Sequence, residues 1–184
     1  MTLLAESHRL NAKKGKAMGV PIDKIIKASL FKGLTRMEME KVIALGREVK
    51  WDEGETIITE GELGETIYVI YSGAVKVSKR LTLPQFSDDA GHSEKTLIQM
   101  DTVEPIVVGE VAMLTKAERS ATITATKDCV GLEVKGPELA KLCETDTGLG
   151  FKIMVNLAQV LSDRLRKTNR DVVRLATALS VALS

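Results

Sequence analysis

The chain has 184 residues, of which 44% are hydrophobic and 28% charged, a balance typical of one domain that buries its own core. Its 26 basic and 25 acidic residues give a formal net charge of +1, which argues against a general nucleic-acid binder because such proteins carry a basic excess. No apolar run approaches the roughly 20 residues that span a bilayer, so no membrane span is expected.

The few cysteines and histidines exclude further classes. Cys129 and Cys143 are the only cysteines, so we expect no disulfide framework and a reducing, cytoplasmic location. His8 and His92 are the only histidines and lie far apart in sequence, which argues against a zinc site and against a cupin-type enzyme. We therefore expect a protein that is not an enzyme and needs no metal or other cofactor.

Residues 1–46 form the predicted N-terminal helical segment, because apolar residues recur there at three- to four-residue steps. Thr35 with Glu38 three residues later predicts a helix start with a capping box. Lysines 13, 14 and 16 beside leucines permit a membrane-surface helix, although a loosely packed leader is the favoured interpretation. The segment has no signal-peptide core, so secretion is not expected.

Residues 47–136 change to a period of two, which indicates strands. The predicted strands are residues 56–59, 66–71, 74–79, 96–100, 105–108, 121–125 and 130–134. Glycines 54, 61 and 64 and the pair Ser72–Gly73 are read as turns, and residues 87–95 as a solvated hairpin tip. The predicted fold class is α+β, mainly β: a jelly-roll or cupin-like β-barrel flanked by N-terminal helices and a long C-terminal helix.

Residues 137–184 form the predicted C-terminal hinge and dimerisation helix. The apolar positions follow heptad spacing for more than four repeats, at residues 151, 154, 158, 161, 165, 168, 172, 175, 179 and 182. A helix packed along its own domain is the alternative, but a coiled coil between identical subunits explains the far half better. Thr168 is the one polar residue of this seam, which makes it a place to look for a ligand.

The most informative stretch runs from Gly109 to Thr122. A strand is predicted to end at Gly109, and Glu110 opens a short apolar turn whose first N–H groups would make an anion site. Arg119 brings a permanent charge and a two-pronged donor suited to phosphate, and Ser120 adds a hydroxyl. Glu110 only accepts hydrogen bonds when ionised, so it suits a sugar hydroxyl. These residues predict a pocket for a phosphate joined to a ribose, with an internal Glu110–Arg119 ion pair as the alternative.

The order Gly109-Glu110-Val111-Ala112-Met113-Leu114 followed by Arg119-Ser120-Ala121-Thr122 resembles the phosphate-binding cassette of the cyclic-nucleotide-binding domain family. That family includes the protein kinase A regulatory subunits and the bacterial catabolite activator. The segment at residues 30–34 and the glycine turns at residues 54–73 also resemble the family, so the resemblance covers about residues 30–179.

The resemblance implies a jelly-roll barrel that holds a 3′,5′-cyclic nucleotide. Arg119 and Ser120 would bind the cyclic phosphate, Glu110 the ribose 2′-hydroxyl, and Thr168 the adenine edge. Backbone amides near Val111, Ala112 and Ala121 would complete the phosphate cradle, and Asn169 would reach across from the second subunit of a homodimer. The implied ligand is cAMP, favoured over cGMP.

Two features depart from the family pattern. Residues 101–108 lack the usual glycine ahead of the cassette and carry Pro105 instead, which implies a different approach to the pocket. The sequence ends at Ser184, where the bacterial activators continue into a helix-turn-helix, so we expect no direct DNA binding.

Two functions compete at this point. The first is a cyclic-nucleotide sensor that transmits ligand binding through its C-terminal helix to an unidentified downstream protein. The second is a ligand-independent interaction or scaffold module whose pocket residues are structural.

Overall fold

A computed structural model describes residues 15–16, 19–81, 93–111 and 117–183. The helices are α1 (Ile22–Ile25), α2 (Arg36–Ala44), α3 (Gly136–Thr145) and α4 (Thr147–Ala182), with a 3₁₀ turn at Ser29–Phe31. The strands are β1 (Gly15–Lys16), β2 (Gly46–Trp51), β3 (Thr56–Ile58), β4 (Thr66–Leu81), β5 (Ser93–Asp101), β6 (Ile106–Val108) and β7 (Thr122–Lys135).

The described strands form one antiparallel sheet in the order β1-β2-β7-β4-β5, with β3 beside β7 and β6 beside β4. Helices from both ends of the chain flank it, so the predicted fold class is confirmed. The sheet is not closed into a complete barrel: within the described ranges, β1 and β5 stand at the two ends of the strand order.

The N-terminal segment is only partly helical. Thr35 caps α2 by accepting from the Glu38 amide at 3.3 Å, while the Glu38 carboxylate accepts from the Thr35 amide at 2.6 Å, which confirms the capping box. The helical prediction is wrong at Gly15 and Lys16, which pair with Glu48 and Arg47 at the edge of β2. Glycine weakens a helix, and an open sheet edge supplies backbone partners instead. Lysines 13 and 14 lie outside the described residues.

Two long strands replace four short predicted ones. Residues 66–71 and 74–79 belong to one strand, β4, and residues 121–125 and 130–134 fall almost wholly within β7. Ser72 and Gly73, predicted as a turn, are instead a bulged stretch of β4. Gly73 has a φ of +109°, and a Cβ there would lie 2.5 Å from the Asp128 carbonyl oxygen on β7. The glycine therefore allows β4 to bend while it stays paired.

The predicted hairpin tip is shorter than the sequence suggested. Ser93, Glu94 and Lys95 belong to β5 and pair with residues 79–81 of β4. The prediction is therefore wrong for these three residues, because pairing with β4 supplies backbone partners even to a polar sequence. The other residues assigned to the tip, 87–92, lie outside the described ranges.

The core consists of two hydrophobic clusters on opposite faces of the sheet. Strand β4 contributes side chains to both clusters. Ile67 and Val69 belong to the cluster that contains the helices, whereas Ile70 and Val75 belong to the cluster that contains Trp51. The prediction that residues 66–71 form a strand buried on both faces is therefore confirmed at these positions.

Helix α4 presents two different faces along its 36 residues. Leu149, Ile153 and Leu157 are fully buried in the cluster that also contains the N-terminal helices. The predicted heptad stripe lies on another side of the helix and is largely exposed, from Phe151 at 72% to Leu179 at 61%. The long helix is thus confirmed. Leu161 of the heptad stripe is partly buried against this cluster, whereas the stripe residues beyond it are exposed and do not attach the helix to its own domain.

Polar contacts hold the base of α4 to the N-terminal segment. Both carboxylate oxygens of Glu38 on α2 lie 2.8 Å from the Lys152 ammonium nitrogen, and this ion pair holds the pKa of Glu38 below its ordinary value. Lys41 of α2 pairs at 2.6 Å with Asp146, the residue that caps α4, and lowers the pKa of that carboxyl in the same way. The start of α4 therefore forms one unit with α2.

None of the helices within the described ranges is long and apolar enough to cross a membrane.

Asn156 is the buried polar anchor of α4, and its removal should destabilise the fold. Its side-chain amide donates to the carbonyl oxygens of Leu30 at 3.0 Å and Lys32 at 2.8 Å. We predict that Asn156→Ala lowers the free energy of unfolding by about 2–3 kcal/mol, because two carbonyl groups lose their donor. Urea denaturation measures the change, with the exposed Gln159→Ala on the same helix as control. Equal losses in the two variants would contradict the anchoring role.

Candidate functional site

The candidate site begins where β6 ends. Val108 is the last residue of β6 and pairs with Tyr68 of β4. The strand therefore ends next to Gly109, where the sequence predicts its end. Gly109 follows with a φ of +83°, a left-handed conformation that favours glycine. Glu110 and Val111 then have helical conformation. This geometry turns the chain sharply and directs the Glu110 side chain inward.

Glu110 is a buried carboxylate with one occupied oxygen. The residue is 1% exposed, and Oε1 accepts a hydrogen bond from the Arg164 guanidinium of α4. Arg164 also donates to the Val107 carbonyl oxygen at 3.2 Å. Among the described residues, nothing donates to the other oxygen, Oε2, although it too is buried. Such an unpaired acceptor costs about 1–3 kcal/mol, so this oxygen is suited to a donor from a ligand.

Arg119 is held in place through both its backbone and its side chain. Its amide donates to the Glu62 carbonyl oxygen and its own carbonyl accepts from the Gly61 amide, each at 2.9 Å. Its guanidinium donates to the carbonyl oxygens of Gly109 at 3.1 Å and Thr66 at 2.8 Å. These two contacts occupy two of the five guanidinium donors. The geometry therefore fixes the charge in one orientation.

The charge of Arg119 is buried, because the residue is 8% exposed. Burial lowers the pKa of its guanidinium, and the nearby Tyr68, Glu110 and Glu62 partly oppose that shift. Arginine remains protonated at neutral pH all the same. An anion that reached this group would meet a full positive charge with little water to screen it.

The internal Glu110–Arg119 ion pair, the alternative that the sequence left open, is not formed. Glu110 pairs with Arg164, and Arg119 binds backbone carbonyl groups. The two side chains are nevertheless neighbours, because Arg119 contacts the carbonyl of Gly109, the residue before Glu110. The site therefore presents a buried cation beside a buried carboxylate.

The other predicted residues lie around this cluster or along α4. Ser120 is exposed and Ala121 half-buried just before β7, and Val111 is exposed. Ala112 lies outside the described residues. Thr168 and Asn169 are exposed on α4, about one helical turn beyond Arg164. The single chain therefore brings together Gly109, Glu110 and Arg119, and leaves Thr168 and Asn169 on the open part of the helix.

Sequence reasoning missed three contributors to the site: Arg164, the backbone of Thr66, and Gly64, whose missing side chain leaves room for Arg119. Arg164 resembled the other solvated charges of the helix, and only its place one turn before Thr168 could have singled it out. A carbonyl acceptor such as that of Thr66 leaves no trace in the sequence.

No group of three or more histidine, cysteine, aspartate or glutamate side chains is placed to hold a metal ion in the part of the chain that the structure describes.

Comparison with known proteins identifies the family. The model of the cyclic nucleotide-binding domain matches residues 48–146, which is more than half of the chain and includes Glu110 and Arg119. The chain therefore belongs to the cyclic nucleotide-binding domain family, as the cassette had suggested. This domain is regulatory rather than catalytic.

Two curated relatives show the range of the family. The chain is 27% identical over 147 residues to the cyclic AMP receptor protein of Thermus thermophilus, covering 78% of this chain and 60% of that protein. It is 34% identical over 101 residues to the cAMP-dependent protein kinase regulatory subunit of Yarrowia lipolytica, covering 55% of this chain and 23% of that protein. The chain thus spans less than two thirds of either relative.

Solved structures agree with the fold. The Thermus thermophilus catabolite activator protein superposes with a TM-score of 0.67 at 25% identity, over 81% of this chain and 63% of that one. A cyclic nucleotide-binding domain from Methylobacillus flagellatus superposes with a TM-score of 0.71 at 19% identity, over 88% of this chain and 86% of that one.

Arg164 should stabilise the ligand-free protein through Glu110. We predict that Arg164→Ala lowers the free energy of unfolding by about 1–3 kcal/mol, because it leaves a buried carboxylate without its cation. Arg166→Ala is the matched control, since Arg166 pairs with Asp163 in an exposed contact on the same helix and should change stability by about 0.5 kcal/mol or less. Urea titration of both variants measures the difference, and indistinguishable midpoints would show that the Glu110 contact contributes no stability.

Proposed function

We propose that this protein binds a 3′,5′-cyclic nucleotide and regulates a downstream partner without catalysing a reaction. The observation that carries the proposal is the buried, unpaired Oε2 of Glu110 beside the buried charge of Arg119. A ribose hydroxyl would satisfy the first group and a phosphate the second. A cyclic nucleotide carries both at a fixed, short separation.

Each predicted residue has a place in this proposal. Arg119 and Ser120 bind the cyclic phosphate, aided by backbone amides at Val111, Ala112 and Ala121. Glu110 accepts from the ribose 2′-hydroxyl. The nucleotide is a ligand, and no cofactor is needed for this role.

We propose cAMP as the ligand in preference to cGMP. Thr168 is a polar residue in an otherwise apolar stripe, at a distance along α4 suited to the base of a nucleotide whose ribose lies on Glu110. Asn169 would contact the same base from the second subunit. The Thermus thermophilus relative is a cyclic AMP receptor and the Yarrowia lipolytica relative a cAMP-dependent regulatory subunit, which supports this choice.

A homodimer through α4 is the proposed assembly. Every described residue from 162 to 183 is exposed in the single chain, including leucines 165, 175 and 179 of the heptad stripe. An apolar stripe of this length is costly in water, and a second identical helix would cover it. The two free cysteines support a reducing cytoplasm as the location.

The Arg164–Glu110 contact supplies a route from ligand to helix. A ligand that binds Glu110 acts on the same carboxylate that α4 holds, so binding and helix position are coupled. The shift in helix position would then change the affinity for the downstream partner.

The same contact supports the alternative, a ligand-independent interaction module. Glu110 already has a cation at Oε1 and Arg119 already has two acceptors, so both charges are partly compensated without a nucleotide. In that case millimolar cAMP or cGMP should leave the melting temperature unchanged.

Titration calorimetry with cAMP and then cGMP separates the two functions. We expect one cAMP site per chain and weaker binding of cGMP, because Thr168 is assigned to the adenine edge. Arg119→Ala should cost about 2–5 kcal/mol of binding free energy, since the buried phosphate loses its charge partner. Lys127→Ala is the control, because Lys127 pairs with Asp101 in an exposed contact and should not change affinity. A folded protein that binds neither nucleotide would exclude the sensor function.

The dimer is tested by light scattering. We expect a mass twice that of the 20.0 kDa chain. Leu175→Asp should shift the protein to monomer, because Leu175 is 70% exposed in one chain and would bury a charge in the proposed interface. Arg170→Asp adds the same side chain outside the stripe and should leave the dimer intact. Dimers that persist with Leu175→Asp would place the interface elsewhere.

A further inference from the structure

Gly64 lies in the loop between β3 and β4, against the side chain of Arg119. A Cβ added at Gly64 would lie 2.5 Å from Nε, 2.6 Å from Nη2 and 2.7 Å from Cζ of Arg119. These three atoms are its nearest neighbours, and all belong to the guanidinium. Such separations are far below van der Waals contact, so the guanidinium occupies the space that a side chain at position 64 would need.

The backbone of Gly64 does not itself require glycine. Its φ lies outside the left-handed region, in contrast to Gly61 in the same loop, which has a φ of +82° and open space around its Cβ position. Glycine is therefore needed at position 61 for the backbone conformation of the turn, whereas at position 64 it leaves room for the side chain of Arg119. The atoms nearest to an alanine Cβ at position 64 would be the end of a flexible side chain, that of Arg119.

The opposite side of the guanidinium meets Gly109. A Cβ on Gly109 would lie 2.6 Å from Nη1 of Arg119 and 2.6 Å from the Thr66 carbonyl oxygen. Two glycines from separate loops thus leave a slot for one guanidinium, and the carbonyl groups of Gly109 and Thr66 supply its acceptors. The slot holds Arg119 in a single orientation before any ligand arrives.

We infer that Gly64 is a positioning residue for ligand binding: its missing side chain sets where Arg119 presents its charge to a cyclic phosphate. This inference rests on the proposed function for its ligand and adds a residue that makes no ligand contact. With alanine at position 64 the guanidinium leaves its two carbonyl acceptors and loses its fixed orientation. Because hydrogen bonds to a charged group depend on alignment, the affinity falls while the charge remains.

The test combines affinity with a direct view of the arginine. Affinities for cAMP are measured by amide chemical-shift titration for the full chain, for Gly64→Ala and Arg119→Ala, and for the double variant. We expect Gly64→Ala to weaken binding about ten- to a hundredfold when Arg119 is present. The same substitution should change affinity less than about twofold in the Arg119→Ala background, because nothing remains there to displace.

Leu63→Ala is the matched control, because it changes the neighbouring residue, whose side chain is 70% exposed, and should bind cAMP normally. Equal losses from Gly64→Ala in both backgrounds would mean a general loop effect and overturn the inference. The inference would also be overturned if Gly64→Ala left the affinity for cAMP unchanged in a protein that retains Arg119.

The Nε–Hε signal of Arg119, identified by its loss in Arg119→Ala, reports the slot without any ligand. We expect Gly64→Ala to shift this signal and speed its hydrogen exchange, while Leu63→Ala leaves it in place. An unshifted signal in Gly64→Ala would overturn the inference. If the full chain binds neither cAMP nor cGMP, the proposed function fails, and this signal alone decides whether Gly64 positions Arg119.

Discussion

The main constraint on the site is that two charged side chains, Glu110 and Arg119, are almost entirely removed from water, which is energetically costly. A buried charge is tolerated only where partners replace its hydration, and here each partner comes from a different part of the chain. Arg119 takes carbonyl groups from the start of β4 and the end of β6, and Glu110 takes a guanidinium from α4. The pairing of β4 with β6 brings the carbonyl groups of Thr66 and Gly109 together, so the sheet itself places both acceptors of the Arg119 guanidinium.

The sequence predicts the side chains that carry charge to this site, but not the groups that hold them. Carboxylate and guanidinium groups suit a ribose and a phosphate, but it is the resemblance of residues 109–122 to the family's phosphate-binding cassette that singles out Glu110 and Arg119. The capping box at Thr35 can be recognised because its residues lie within one turn. The Thr66 carbonyl is invisible in a sequence, and Arg164 looks like any solvated helix charge. Ser72 and Gly73 read as a turn because a bulge and a turn use the same residues, and only the partner strand distinguishes them.

Helix α4 shows how one apolar pattern can hide two functions. Leu149, Ile153 and Leu157 attach it to its domain. The heptad stripe shares several turns with them and lies on another side, except at Leu161, which packs against the same cluster. The spacing of apolar residues does not separate the two faces of the helix, so the sequence predicts the heptad stripe but does not identify the face that packs against the domain. The anchoring face ends near Leu161, and beyond it every described residue of the helix is exposed.

The contact of Arg164 with Glu110 therefore lies just beyond the point where α4 stops packing against its own domain. No glycine or proline follows Gly150 in α4, so neither of the residue types that most often kink a helix interrupts it. From Arg164 to Ala182 the helix extends about 27 Å. A tilt of about 10° at Arg164 would move the far end about 5 Å sideways, close to the rise of one helical turn. A small rearrangement around the Glu110 carboxylate would thus become a displacement of several ångströms at the far end of α4, well away from Glu110 itself.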